Sequence, residues 1–377
     1  MGSSSSKQVS QRPTILVTGG AGYIGSHTVV TLLEQGANVV VVDNLSNASP
    51  QSLQRVKEIC KLSPEAAAER IIFYEMDVAN EEELRTVFQA QLDKDKGQPF
   101  QGCIHFAGLK AVGESTQIPL KYYENNLGST FTLLKLLDEF NCHSIVFSSS
   151  ATVYGAQDTM PIDESAVVGQ GITNAYGRTK YMIEESLQDF YNSKTLKGQT
   201  TDWSIVILRY FNPIGSHPSG NIGEDPNGIP NNLMPYVAQV AIGRRDHLTV
   251  FGDDYDTPDG TGVRDYLHVM DLAEGHLAAL KLIQNKAAQG TGTCSIFNLG
   301  TGNGCSVLDM VKAMEKASGK TIAYKIGPRR PGDVATCYAN AQKAETELGW
   351  KATRNLDDMC RDLWKWQSQN PQGYADE

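Results

Sequence analysis

Along the N-terminal half of the chain, apolar residues fall into short, β-branched runs separated by stretches of helical periodicity. Thr14-Ile15-Leu16-Val17-Thr18 reads as a strand that leads directly into Gly19-Gly20-Ala21-Gly22-Tyr23-Ile24-Gly25-Ser26-His27. Residues 28–35 then read as helix, and Asn38-Val39-Val40-Val41-Val42-Asp43 as a second strand. The alternation continues with a helical stretch near 50–62, a strand over 71–76, a helix over 80–93, a strand over 103–107 and a helix over 120–140. A strand over 144–148, a helix around Tyr176 and a strand over 203–208 complete it. Such a βαβ series predicts an α/β fold with a Rossmann-type, doubly wound parallel sheet. Past Asn212 the alternation dissolves into loops rich in Gly, Pro and Asn, the longest over 220–232, with helices near 233–243, 269–285 and 306–318. The pattern divides the chain into a flexible tail over 1–12, a Rossmann-type unit over 13–211, and a smaller C-terminal α/β domain over 212–377, to which the polar residues discussed below assign dinucleotide binding with the catalytic helix and substrate binding respectively.

A chain of 377 residues, 40% of them apolar, can bury a large core. The net charge of -10 and the pI near 5.3 argue against a nucleic-acid partner, so any phosphate site must be local. The seven cysteines show no Cys-x-x-Cys pair and leave an odd one over, which suggests neither a metal site nor a disulfide framework and fits a cytoplasmic setting. No run is apolar enough to span a membrane. Met1-Gly2-Ser3-Ser4-Ser5-Ser6-Lys7 fits the pattern for myristate attachment at Gly2, in competition with a plain disordered leader. A single acyl chain gives only marginal, reversible membrane binding, so no stable association is expected.

These elements change meaning once the polar residues at their ends are considered. Gly19, Gly22 and Gly25 allow a tight turn, close backbone approach to a pyrophosphate and close helix packing. Asp43 follows the last of these glycines by 18 residues. That is near the spacing of a carboxylate that bonds an adenosine ribose diol and repels a 2′-phosphate, which favours NAD. In a parallel sheet ligands collect beyond the carboxyl ends of the strands, where Asp77, the segment Phe106-Ala107-Gly108-Leu109-Lys110 and Ser148-Ser149-Ser150 all fall. Asp77 could instead cap the next helix, and the serines could bond their own backbone. In Ala175-Tyr176-Gly177-Arg178-Thr179-Lys180 a phenol and an ammonium stand one helical turn apart on one face. A tyrosine with a reference pKa of about 10 becomes a base only where positive charge favours its phenolate. Arginines in Gly262-Val263-Arg264-Asp265-Tyr266 and Pro328-Arg329-Arg330-Pro331-Gly332-Asp333 offer planar forks suited to a diphosphate.

The chain resembles the UDP-glucose 4-epimerases, members of the extended short-chain dehydrogenase/reductases, from about Thr14 to Gly373. The resemblance is carried by the glycine segment, His105 to Ser115, Phe147 to Gly155, Arg209-Tyr210-Phe211-Asn212-Pro213, Gly223-Glu224-Asp225-Pro226, Gly228 to Tyr236 and Asp259 to Tyr266. It implies that NAD is held by Tyr23, Ile24, Asp43, Asn44, Leu45, Ser46, Asn47, Ala48, Asp77, Val78, Phe106 to Lys110, Asn125 and Phe211, together with the glycines. Ser150, Tyr176 and Lys180 would be the catalytic trio, facing both cofactor and sugar. UDP-hexose would be gripped by Lys110, Asn212, Asn232, Leu233, Thr249, Val250, Phe251, Arg264, Tyr266, Arg330, Asp333 and Cys337. A homodimer formed through helices of the nucleotide-binding half is also implied. Cysteine at 337, where bacterial members carry tyrosine and animal members cysteine, would leave room for an N-acetyl group and extend the range to UDP-GlcNAc and UDP-GalNAc. The competing readings are a nucleotide-sugar 4,6-dehydratase or decarboxylase and a non-catalytic NAD sensor. Dehydratases carry acids in a slot that resembles Ala151-Thr152, and sensors usually lose the tyrosine or lysine.

Overall fold

Each strand of a sheet that is covered on both faces must be apolar on both, and the N-terminal strands satisfy this almost without exception. A computed structural model describes residues 12–95, 97–196, 201–330 and 332–376; Gly2 lies outside them. The first part of the chain runs β1 (Thr14–Thr18), α1 (Tyr23–Glu34), β2 (Asn38–Asp43), α2 (Gln51–Ile59), α3 (Pro64–Arg70), β3 (Ile71–Glu75) and α4 (Glu81–Asp95). It continues through β4 (Gly102–His105), α5 (Val112–Gln117), α6 (Pro119–Glu139), β5 (Ser144–Ser150), α7 (Ala175–Lys194) and β6 (Ser204–Tyr210). The remainder comprises β7 (Asn212–Ile214), α8 (Leu233–Ala241), β8 (Leu248–Phe251), β9 (Val263–His268), α9 (Val269–Ala288) and β10 (Thr293–Leu299). It ends with β11 (Gly304–Ser306), α10 (Val307–Ser318), β12 (Tyr324–Gly327), β13 (Thr336–Cys337) and α11 (Leu356–Gln369).

Seven parallel strands form the main sheet in the order β10-β6-β5-β4-β1-β2-β3. Because successive side chains alternate, Ile15, Val17, Val39, Val41 and Val206 pack on one face against α1 and α9, while Leu16, Val40, Val42, Phe147 and Ile205 pack on the other against α4, α6 and α7. A buried Val, Leu or Ile contributes about 1.5–3 kcal/mol each, so these two layers fix the sheet. A second core joins α8, α10 and α11 to β8 and Tyr266 and supports the smaller part of the molecule.

The strand and helix expectations of the first half hold, and the helices α3, α5 and α11 are additions. Residues 212–377 do not form one contiguous unit as expected. α9 packs on α1, and β10 pairs with β6 along all seven of its residues. The chain thus returns to the main sheet before ending in the smaller part. β10 begins Thr293-Cys294-Ser295, half-buried at the sheet edge, and therefore lacks the β-branched run that marks an interior strand.

Among the described residues four imidazoles are sealed inside this fold, those of His27, His105, His268 and His276. Burial lowers His27 and His105 to about 3 and His276 to about 4, with the charge of Lys180 adding to the shift at His105. An unfolded histidine takes a proton near pH 6.5, whereas these do so only at much lower pH. The unfolded state therefore binds more protons between those values, and stability is lost as pH falls through the window. The loss should be on the order of 2 kcal/mol per imidazole at about pH 5. Melting temperature followed from pH 7 downward should fall steeply below about 6.5, and less steeply in His276→Gln; equal slopes would show that His276 does not contribute.

Candidate active site

The sheet order reverses between β1 and β4, and the loops that leave these two strands face each other across the crevice. Gly19 turns with φ +70°, and a Cβ there would stand 2.7 Å from the Ala107 nitrogen, so only glycine lets the loops meet. At Gly25 a Cβ would lie 2.2 Å from the Gly19 carbonyl oxygen. Gly22 differs: a Cβ would meet the chain only at the Gly19 carbonyl, 3.3 Å away. It is the N-cap of α1 and offers no side-chain cap, so the first turn's N–H groups remain directed at the crevice.

One cavity runs from this turn to the catalytic helix. Gly19, Gly22, Tyr23, Ile24, Gly25, Asp43, Asn44, Ser46, Asn47, Ala48, Asp77, Val78, Phe106, Ala107, Gly108, Leu109, Lys110 and Asn125 line it. Ser150, Tyr176, Lys180, Phe211, Asn212 and Asn232 complete the predicted set that faces it. Leu45 is not on the wall; its N–H donates to Asp43 Oδ1 at 2.9 Å, and Ala21 N–H donates to Oδ2 at 3.0 Å. Burial pushes the Asp43 carboxyl up and these backbone donors pull it down. A carboxylate has about four acceptor positions, so some remain for a ligand. Asp77 accepts from Ala79 N–H at 2.8 Å and from Asn44 Nδ2 at 3.3 Å; the side chain that accepts at the start of α4 is Asn80.

The three residues expected to be catalytic meet where β5 ends and α7 begins. Ser150 is the last residue of β5, and its Oγ accepts from Thr152 N–H at 3.2 Å, so its own proton stays free to donate. Asn174 caps α7 by accepting from Gly177 N–H at 2.8 Å. Tyr176 and Lys180 are both buried on the face of α7 toward the sheet. Burial, joined by Tyr210 and Tyr122, pushes the Tyr176 phenol well up, and the Ser150 hydroxyl pulls it back. Burial lowers the Lys180 ammonium to about 8, against a smaller opposing effect of Glu184. Its Nζ donates to the Ser148 carbonyl at 2.8 Å and lies 5.9 Å from the Tyr176 ring centroid. Lys180 is thus anchored beside the phenol, and the protein's own groups leave Tyr176 protonated.

The remaining predicted substrate residues form a second cluster off the cavity wall. β13 pairs with β9 so that Cys337 stands opposite Arg264, and β7 pairs with β9 so that Asn212 stands opposite Tyr266. Arg264 Nη2 lies 3.6 Å from Asp333 Oδ1, and the Arg330 guanidinium stacks 3.9 Å above the Phe251 ring, with Thr249 and Val250 on the same strand. Leu233 is the first residue of α8, and Cys337 is half-buried with its thiol pushed up by burial.

Several residues at the site were not anticipated. Asn126 accepts from Leu109 N–H at 2.8 Å, donates to the Leu109 carbonyl at 3.1 Å and to Thr179 Oγ1 at 2.9 Å, tying the loop after β4 to the catalytic helix. Tyr210, Glu224, Asp225 and Tyr374 also line the cavity. Tyr210, Glu224 and Asp225 stand in stretches that carry the family resemblance; nothing local marked Asn126 or Tyr374. Among the described residues no group of His, Cys, Asp or Glu side chains gathers as metal ligands would, and no helix is long and apolar enough to cross a membrane.

A family model described as GDP-mannose 4,6 dehydratase matches residues 16–363. The UDP-glucose 4-epimerase of Bacillus subtilis (strain 168) is 55% identical over 360 residues, 96% of this chain and 98% of the relative. That of Homo sapiens is 54% identical over 367 residues, again 96% of this chain and 98% of the relative. Among solved structures, the UDP-glucose 4-epimerase of Bifidobacterium longum in complex with NAD+ and UDP aligns with a TM-score of 0.86 and 49% identity, covering 96% of this chain and 100% of that one. The family model is named for a dehydratase, yet the acid slot beside Ser150 holds Ala151 and Thr152, and these near-full-length relatives carry the epimerase name. With its glycine turn, serine, tyrosine and lysine on one cavity, the chain belongs to the UDP-glucose 4-epimerase family.

Proposed function

We propose that the protein interconverts UDP-glucose and UDP-galactose by oxidising C4 of the hexose and reducing it from the opposite face. The observation that carries this reading is that Ser150, Tyr176 and Lys180 converge on the same cavity as the capless N-terminus of α1 and Asp43. The residues present fit NAD: a glycine at 22 leaves space that the chain itself does not fill, and Asp43 disfavours a 2′-phosphate. When bound, NAD supplies hydride acceptance and return at C4, which a hexose without an acidic C–H requires.

The chain's own groups move the proton. Tyr176 takes the C4 hydroxyl proton on its phenolate oxygen and gives it back after the sugar has turned. Burial favours the neutral phenol, so base function requires positive charge beside it. Lys180, with its ammonium near 8 and fixed on the Ser148 carbonyl, supplies one such charge, and an oxidised nicotinamide a second. Ser150 donates to the C4 oxygen. Arg264 and Arg330 hold the diphosphate about which the 4-keto sugar swings. Elimination across C5 and C6, as in a dehydratase, would need an acid and base that Ala151 and Thr152 do not provide.

Two finer assignments accompany this reading. Cys337, with a small side chain beside Arg264, admits N-acetylated sugars; the UDP-Glc/GlcNAc 4-epimerase of Campylobacter jejuni, 33% identical, bears a name that covers both substrates. Homodimers form through α6 and α7. Leu120 and Phe131, which share one face of α6, are 73% and 42% exposed, and Met182 of α7 is 43% exposed, an apolar stripe on adjacent helices.

The first test is incubation with UDP-galactose and NAD, which should yield UDP-glucose and no 6-deoxy sugar. Tyr176→Phe should lose about 10²- to 10⁴-fold in kcat while still binding NAD and UDP; a near-normal rate would remove Tyr176 as the base. Cys337→Tyr should abolish UDP-GalNAc conversion and spare UDP-galactose, so unchanged turnover of both sugars would refute the pocket argument. Light scattering should give a dimer for the native chain and a monomer for Phe131→Glu, and a dimer in both would place the interface elsewhere.

A further inference from the structure

We propose that residues 223–227 form a clasp that retains the dinucleotide, with Glu224 as its ionic anchor and Asn227 as its second. The inference rests on the dinucleotide reading given above. The segment crosses from the smaller part of the molecule to the cavity, where Gly223, Glu224, Asp225 and Pro226 form part of the wall opposite the sheet.

Both ends of the segment are fastened to loops that leave main-sheet strands. Glu224 is buried, its side chain only 5% exposed, and its Oε1 accepts from Lys110 Nζ at 3.1 Å and from Asn232 Nδ2 at 2.9 Å. Lys110 belongs to the loop after β4, so this pair bridges the cavity. Asn227 N–H donates to Asn47 Oδ1 at 3.1 Å, and its Nδ2 donates to the Ser46 carbonyl at 3.0 Å. Ser46 and Asn47 follow Asp43 on the opposite rim. A ligand lying between the α1 N-terminus and Asp43 is therefore enclosed by contacts on either side of it.

The clasp is also braced from behind. Asp225 Oδ2 accepts from Tyr374 N–H at 2.8 Å, and the Tyr374 hydroxyl accepts from Gly223 N–H at 3.3 Å. A Cβ at Gly223 would stand 2.4 Å from the Trp366 ring, so the segment lies directly on α11. Arg55 of α2 stacks over both Trp366 and Tyr374, which locks this brace to the nucleotide-binding half.

The arrangement suits an enzyme that must return a hydride to the sugar from which it came. A cofactor that left while reduced would strand the keto sugar, whereas an ordinary dehydrogenase exchanges its cofactor in every cycle. A buried carboxylate in an anion-binding cavity is otherwise costly, and Glu224 is tolerated there because Lys110 and Asn232 partner it.

The test uses the full chain loaded with NAD, desalted, and followed for nucleotide released into a large excess of labelled NAD. The native protein should release slowly, and Glu224→Gln, which can still accept from Asn232 but carries no charge for Lys110, should release roughly tenfold faster or more, the scale of a charge-assisted hydrogen bond. Asn227→Ala, at an exposed position, should release several-fold faster, and the native and Asn227→Ala rates, but not that of Glu224→Gln, should climb in 1 M salt, where a half-exposed Lys110 is screened. UDP affinity and melting temperature serve as folding controls. Variants that fold, bind UDP normally and release NAD at the native rate would overturn the clasp while leaving the dinucleotide reading intact. A native protein that takes up no NAD would overturn both.

Discussion

The buried ion pair between Glu184 and Arg209 is the contact on which the geometry of the active site depends. Glu184 lies one turn beyond Lys180 and two beyond Tyr176, so the three share a face of α7. Arg209 on β6 donates from Nε and Nη2 to both carboxylate oxygens, the closest at 2.6 Å, with side chains 3% and 1% exposed. Burial works against the Arg209 charge, and Glu184 more than restores it. Ser149 Oγ donates to the same carboxylate, and Arg209 Nη1 reaches Tyr154, whose hydroxyl donates to Asn298 of β10 at 2.7 Å. Removing one member of such a pair costs about 3–5 kcal/mol because the other charge is left buried and unpartnered. The network therefore fixes the rotation and height of α7 against β5, β6 and β10, and with them the aim of the phenol.

The same burial that locks α7 sets the electrostatics of the trio. A sealed phenol resists ionisation and a sealed ammonium resists its charge, so each alone is displaced from its role. Lys180 compensates by bonding the Ser148 carbonyl, and Ser148 Oγ in turn donates to the Tyr210 hydroxyl at 3.2 Å and contacts His276 Nε2 at 3.3 Å. The groups bonded around Ser148 beside Lys180, the Tyr210 phenol and the His276 imidazole, are thus neutral. A phenol so disposed depends on the Lys180 charge beside it, and on the reading proposed above a bound oxidised nicotinamide would add a second.

What the sequence made legible was the part of this design that is local in the chain. The glycine turn, the acid at the end of β2, and the four-residue spacing of Tyr176 and Lys180 each follow from the period of one element. Arg264 and Arg330 were recognisable as loop arginines, but the stacking of Arg330 on Phe251 depends on β8 and β12 meeting, which no local signal encodes. Asn126 was hidden for a related reason: an asparagine inside a helix has no pattern, and its work lies in Leu109 and Thr179, 17 and 53 residues away. β10 was missed because its polar start suits an edge rather than an interior strand. Tyr374 lies beyond α11, a helix the sequence reading did not anticipate, and carried no local signal of its own.

The long-range returns of the chain have a physical purpose. A hydride can move only between atoms held at contact distance, so the part that carries the sugar cannot drift relative to the part that carries the cofactor. α9 and β10 bring the chain back to the main sheet between two visits to the smaller core, which makes three crossings where a simple tandem arrangement would have one hinge. Polar contacts then pin the crossings at the cavity itself. The Tyr23 hydroxyl donates to the Gly215 carbonyl at 2.7 Å, and Arg55 donates to the Asn221 carbonyl at 3.0 Å. Burial and the nearby Glu224 carboxylate push the Tyr23 phenol well up, so it remains a neutral donor across the working pH range. Tyr23 opens the helix whose N-terminus faces the crevice, and Gly215 follows the strand that carries Asn212. A single hydrogen bond thereby joins the glycine turn to the strand that carries Asn212, and on the reading proposed above the freedom that epimerisation requires is left to the sugar.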